Sequence, residues 1–167
     1  MSTLLQTFFG RKEYRIDPKG RIPLSAEYFS RLGLTENSSI VIARSVNTED
    51  KYLEVFSVEQ WEEKMGSIFL MEDDPDKEWV INNYVSTAES VELDNQNRIR
   101  LPKSMIDYAG IDKDVVFVGA IKTLRIWSKE KLDSLGDAQS VDSDRIRKKM
   151  NDARKLYEEK KDKRGDN

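Results

Sequence analysis

The chain has 167 residues, 38% of them hydrophobic, with no histidine and no cysteine. That length suffices for one ordinary domain or two small ones, and the missing residue types exclude imidazole or thiolate zinc sites, Ser-His and Cys-His nucleophile pairs and any disulfide scaffold. The formal net charge of −3 conceals a segregation into +3 over residues 1–31, −11 over residues 32–144 and +5 over residues 145–167, which bears more on a polyanionic partner than the total does.

The opening Met1–Gly10 stretch is too short an apolar run for a signal peptide and has no basic residues ahead of it. No run approaches membrane length, and no Gly-rich phosphate loop is present. These features favour a cytosolic protein, with carboxylate or lysine catalysis formally open but no constellation of residues pointing to it.

The first predicted element is a β-hairpin. In Asp17-Pro18-Lys19-Gly20 the aspartate stands first, proline second and glycine fourth, the order a type I turn favours. Gly20 supplies the left-handed position of a loop with a bulge. Around it Tyr14, Ile16, Ile22 and Leu24 alternate onto one side, which leaves Arg11, Arg15 and Arg21 on the other and Lys19 on the turn. A short helix follows over 25–32, with Ala26, Phe29 and Leu32 at helical spacing and Gly33 as its stop. Strands are then predicted at 39–43 and 52–56, and a helix starts after Ser57 with Gln60 completing a capping box. An acidic run from Glu72 to Glu78 opens another helix, with Asp74 as N-cap, Pro75 at the first helical position, and a core stripe of Trp79, Val80 and Tyr84.

From Val91 the pattern starts again. Asp17, Arg21, Ile22, Leu24 and Gly33 fall without a gap on Asp94, Arg98, Ile99, Leu101 and Gly110. Asn97 takes the place of Gly20, being the next best residue at positive φ. A second hairpin, a helix at 103–109 and strands at 115–119 and 124–127 repeat the unit, and Ser128 caps a further helix. Internal duplication of this kind makes the chain a tandem of two equivalent units. From Asp142 a charged helix carries a sparse stripe of Ile146, Met150, Ala153 and Tyr157, and the Lys160–Asn167 end is expected to fray. A solvated extension is the expected role of this helix, ahead of an oligomer contact, because its apolar stripe is narrower than that of a core-facing helix.

With its duplicated Asp-x-x-(Gly/Asn)-Arg-Ile-x-Leu, the Leu-Gly-Leu and Ala-Gly-Ile after each short helix, and Phe-Val-Gly leading to Ile-Trp-Ser-Lys-Glu, the sequence resembles MraZ within the AbrB/SpoVT group of swapped-hairpin proteins. The resemblance covers roughly residues 9–135. Here Pro23 and Ser25 replace the family's usual Leu-Pro-Ala, and the second turn lacks its glycine. The resemblance implies an α+β, mainly β fold in which tandem swapped-hairpin AbrB-like repeats form a pseudo-dimeric β-barrel with flanking helices. The implied divisions are a first repeat at 9–61, an acidic helical segment at 62–88, a second repeat at 89–135 and a charged helix and tail at 136–167. It further implies a transcriptional regulator, usually a repressor, without catalysis, metal, cofactor or small-molecule substrate, acting in the cytoplasm at the nucleoid. Its partners would be double-stranded DNA, at repeated boxes upstream of its own operon of division and cell-wall genes, and itself, as a ring-shaped homo-oligomer.

The outward residues Arg11, Arg15, Lys19 and Arg21, with Arg98 and Arg100 from the second copy, are the expected DNA contacts; arginine meets phosphate and can also read guanine edges. The first hairpin, being more basic than the second with its Glu92, is expected to dominate. Arg21 and Arg98 have an alternative role, pairing with Asp17 and Asp94 to hold the turns. The competing reading of the whole chain is a non-enzymatic assembly scaffold or an antitoxin-like module for a protein partner.

Overall fold

Each copy of the repeat folds into the same series of elements, and the ladders then cross from one copy to the other. The first copy supplies β1 (Arg11–Arg15), β2 (Arg21–Pro23), α1 (Ala26–Arg31), β3 (Ser39–Arg44) and β4 (Leu53–Ser57). After α2 (Val58–Phe69), α3 (Pro75–Asn83) and a 3-10 turn at Val85–Thr87, the second copy supplies β5 (Glu89–Glu92), β6 (Arg98–Arg100), α4 (Lys103–Ala109), β7 (Asp114–Ala120) and β8 (Thr123–Ser128). Two further helices complete the chain, α5 (Lys129–Ala138) and α6 (Ser143–Gly165). This computed structural model describes residues 7–138 and 141–165 and resolves into two compact units, Met1–Asp133 and Ser134–Asn167. Residues 1–6 of the segment read against a signal peptide lie outside the described residues.

β1 pairs antiparallel with β7, from Arg11 opposite Val118 to Arg15 opposite Asp114, and β5 pairs with β3 in the equivalent way, from Glu92 opposite Ser39 to Glu89 opposite Ile42. The β3–β4, β7–β8 and β4–β8 ladders join these into one antiparallel sheet ordered β1-β7-β8-β4-β3-β5. β2 and β6 pair only with each other, as a separate ribbon in which Ile22 faces Ile99. The predicted local hairpins are therefore corrected. Both turns form, but the strands flanking each are not ladder partners. An isolated two-stranded hairpin is marginal in water, and a duplicated sequence offers every strand an equivalent partner in the other copy. The six-stranded sheet is open, and among the described residues no ladder joins β1 to β5.

Alternate residues of a strand point to opposite faces, and both faces of the central strands are covered. On one face Ile40, Ile42, Val55, Phe117 and Ile126 meet the ribbon's Ile22 and Ile99 together with Tyr28 of α1 and Met105 of α4 in a continuous core. Ile22 and Ile99 are wholly buried, each contributing about 1.5–3 kcal/mol. On the other face Val41, Ala43 and Phe56 pack against Ile68, Trp61 and Met65 of α2 and against Tyr84. This explains why β3 is buried at four consecutive positions rather than alternating. The Ser57–Gln60 capping box and the Asp74 cap before Pro75 form as the sequence predicts.

Three further expectations are corrected. In α1 Tyr28 is the buried position and Ala26 is exposed, while the expected Leu32, at the C-cap, is buried and Phe29 packs against the core. Trp79 stays 41% exposed, because α3 meets the second core through Val80 and Tyr84 and Trp79 lies off that line. Residues 160–165, expected to fray, continue α6 through Gly165. Good helix formers and pairs such as Arg154–Glu158 sustain it. Residues 166–167 lie outside the described residues. Gly119 lets Phe8 close onto the sheet through its bridge to Ile121, because a Cβ there would collide with the backbone of Phe8 and Phe9.

Candidate nucleic-acid interface

The two Asp-x-x-x-Arg turns are built alike, atom for atom. Asp17 Oδ1 accepts the backbone N–H of Lys19 and of Arg21, both at 2.9 Å, and the Gly20 N–H donates to the Asp17 carbonyl. In the second turn Asp94 Oδ1 accepts from Gln96 and Arg98, also at 2.9 Å, and the Asn97 N–H donates to the Asp94 carbonyl. Gly20 and Asn97 both sit in the left-handed region, at φ 78° and 55°. Gly20 also lies against the end of β6, where Leu101 N donates to its carbonyl at 2.8 Å.

Each arginine is tied to its own turn. Arg21 Nε donates to Asp17 Oδ2 at 2.5 Å, and Arg98 Nε to Asp94 Oδ2 at 2.7 Å. The backbone N–H of Arg21, with its guanidinium and the Lys19 N–H, outweighs desolvation and holds the Asp17 carboxyl below its ordinary value. At Asp94 desolvation pushes upward, but the Arg98 N–H, its guanidinium and the Gln96 N–H together win and depress it too. The aspartates thus stay ionised and fix where each guanidinium begins.

The ladder between β2 and β6 then brings the two copies' arginines together. Arg21 stands opposite Arg100, and Pro23 opposite Arg98. With Ile22 and Ile99 pointing into the core, these four residues occupy the outward face of the ribbon, where Arg100 is exposed and Arg21 and Arg98 are half-buried. Among the described residues no ion pair or hydrogen bond is made by the Arg100 side chain. Lys19 is exposed on the turn. Arg11 and Arg15, expected on the same strip, are instead exposed residues of β1 in the six-stranded sheet, with Arg15 3.5 Å from Asp114. The ribbon therefore belongs equally to both copies. Reading each copy by itself missed the Arg21–Arg100 juxtaposition; the equivalence of Ile22 and Ile99 was the signal for it.

Directly opposed like charges destabilise a sheet, and only one member of the Arg21–Arg100 pair has a carboxylate beside it. Such an arrangement suits a polyanion, and a two-stranded antiparallel ribbon is an element narrow enough to enter the major groove of DNA. Among the described residues no acidic group of three or more is placed to hold a metal ion, and no described helix is long and apolar enough to cross a membrane.

Comparison with known proteins gives the same direction. The family model described as "MraZ protein, putative antitoxin-like" matches residues 85–153. The chain is 33% identical to the transcriptional regulator MraZ of Clostridium beijerinckii, over 87% of this chain and 97% of the relative. Identity to the proteins of that name from Chlorobium phaeobacteroides and Natranaerobius thermophilus is 34% and 35%, over 77% and 76% of this chain and 87% and 85% of theirs.

Proposed function

Since the chain belongs to the MraZ family, whose relatives carry the name transcriptional regulator, we propose that it is a DNA-binding transcriptional regulator that grips DNA through the β2–β6 ribbon. The observation that carries this reading is the opposed pair Arg21 and Arg100 beside Arg98 on the ribbon's exposed face. Arg21 and Arg98, aimed by Asp17 and Asp94, serve both the turn and the DNA; Arg100 and Lys19 meet the phosphates. Arg11 and Arg15 contact the flanking backbone. Gly20 and Asn97 supply the backbone conformation that lets the turns approach the duplex.

The finer architecture belongs to the same proposal. The repeats at 9–61 and 89–135 act as two swapped-hairpin units of a pseudo-dimer, with the ribbon spanning the gap between the β1 and β5 ends of the sheet and completing a barrel. The segment at 62–88 flanks it, and the charged helix and tail at 136–167 form a further division of the chain. Chains assemble into a ring, so that several ribbons engage repeated boxes and avidity exceeds single-site affinity. The site of action is the promoter of the protein's own operon of division and cell-wall genes, at the nucleoid in the cytoplasm, and the effect there is repression.

The test is fluorescence anisotropy of the protein with the DNA upstream of its own gene, against shuffled DNA, across a salt series. Binding that prefers the native sequence and weakens steeply with salt supports the proposal. Equal affinity for both DNAs, with the protein folded, overturns sequence-specific regulation.

A further inference from the structure

Helix α6 has no buried residue over Ser143–Gly165, yet its charges are sorted. Around a helix that turns about 100° per residue, Ile146, Met150, Ala153 and Tyr157 fall in one stripe. Lys149 and Lys160 flank it on one side and Arg147, Arg154 and Lys161 on the other. All five acidic residues of the helix fall on the opposite half, from which Asp144 reaches Arg147 at 3.2 Å and Glu158 reaches Arg154 at 3.8 Å in exposed pairs. Arg164 falls in line with the stripe at its C-terminal end. Ile146, Met150 and Tyr157 are 40%, 69% and 68% exposed. The row Arg147, Met150, Arg154, Tyr157, Lys161, spaced by three and four residues, alternates cation with apolar side chain and so presents one continuous edge.

That edge has specific requirements. A second α6 would bring like charges together on both flanks of the stripe. Bare phosphate would satisfy the cations but leave Ile146, Met150 and Tyr157 in water. The matching surface has carboxylates around exposed apolar groups, and this chain carries one at the corner between α2 and α3. Phe69 and Leu70 are 77% and 82% exposed there. Beside them an open groove of about 700 Å³ is lined by Asp73, Asp74, Glu78 and the partly exposed Trp79. Residues 59–78 hold eight carboxylates against two lysines. One of these, Lys77, is committed to Asp73 and to the carbonyls of Phe69 and Met71 and lies 5.6 Å from the Phe69 ring centre. Asp73 is therefore already paired, and Glu78 is a groove carboxylate without an ion pair among the described residues.

We propose that α6 of one chain docks on the α2–α3 corner of a second copy, its arginines meeting Glu78 and competing with Lys77 for Asp73, and its apolar stripe covering Phe69, Leu70 and Trp79. An arginine laid on the Trp79 face adds a cation–π contact. The contact is a self-association surface. It needs no DNA and is independent of the ribbon.

The absence of cysteine makes the test direct. Full-length Glu78→Cys and isotope-labelled Arg154→Cys chains are mixed without DNA and treated with a short bismaleimide. A labelled–unlabelled cross-linked dimer is expected, at least five-fold more abundant than with Lys148→Cys, which lies on the acidic half of α6. In parallel, sedimentation of Arg147→Glu/Arg154→Glu/Lys161→Glu and of Asp73→Lys/Glu78→Lys is expected to give smaller species than wild type, and a 1:1 mixture of the two to regain the larger one. An assembled wild type that is unchanged by either reversal and gives no cross-link overturns this contact while leaving the ring proposal standing. A monomeric wild type overturns both. Binding of α6 to phosphatidylglycerol vesicles or to shuffled DNA, with no cross-link between copies, reassigns the helix and also overturns the proposal.

Discussion

Replacing Arg100 by alanine separates the DNA reading of the ribbon from a structural one. Arg100 is exposed, opposes Arg21 across the ladder, and has no partner among the described residues. Relieving a like-charge cross-strand pair is worth about 0.2–1 kcal/mol. At about 2–4 °C per kcal/mol for a chain of this size, Arg100→Ala should leave the melting temperature unchanged or raise it by up to about 4 °C. DNA binding should move the other way. If Arg100 meets a phosphate, the slope of log affinity against log salt falls by about 0.9 per engaged ribbon for all sequences. If it reads a guanine, discrimination at one position falls by about 1–3 kcal/mol, roughly 5- to 150-fold. Calorimetry and anisotropy on the same preparation measure both. A lower melting temperature with unchanged DNA affinity and salt slope would refute the assignment and make the ribbon a structural element.

Other outcomes follow from the local geometry. Gly119→Ala puts a Cβ 2.5 Å from the Phe8 carbonyl carbon and closer still to Phe9 N, so the Phe8 segment must detach. Losing that buried ring costs about 3–5 kcal/mol, to be read from denaturant unfolding; a loss under about 1 kcal/mol would contradict the close approach. Gly20→Ala, at φ 78° with Leu101 O only 3.1 Å from the new Cβ, should cost about 1–2 kcal/mol, and Gly20→Asn less, since Asn97 fills the equivalent place. Asp17 and Asp94 titrate below their ordinary 3.8 in the folded chain, so on acidification the unfolded chain takes up protons first. Their contribution is present above about pH 4 and is lost as pH falls through the folded values. Asp17→Asn/Asp94→Asn should therefore melt lower than wild type at neutral pH, with the gap narrowing as pH falls below about 4; a gap that does not change on acidification would count against the two ion pairs.

What the residues revealed, and what they concealed, follows from the range of each interaction. Local signals read correctly: the Asp17 and Asp94 turns, the Ser57–Gln60 capping box, the Asp74–Pro75 helix start and the alternation around Ile22 and Ile99 all depend on neighbours within a few positions. Partner choice did not. Nothing near Ile22 distinguishes a β1 neighbour from a β6 neighbour, because both copies carry the same alternation. The ribbon that sets Arg21 against Arg100 was hidden for that reason. Trp79 was misplaced because a nine-residue helix gives too few turns for periodicity to separate its inner from its outer face. Both roles of Arg21 and Arg98 were legible as alternatives, and the Nε contacts to Asp17 and Asp94 show the pairing role.

The crossing of ladders between the copies also has a consequence for synthesis. A ribosome releases Arg11 107 residues before Val118, the residue that will lie opposite it, and Ile22 waits 77 residues for Ile99. Until then the newborn first copy exposes apolar strand faces and unpaired edges, the condition in which nascent chains are most prone to aggregate. Each half also carries the strand types needed to pair with another copy of itself, so two first halves on neighbouring ribosomes are competent to entangle. The tether that follows Ser57 resolves the competition. It holds the second half at a high effective concentration, so once that half emerges the tether favours closure within one chain.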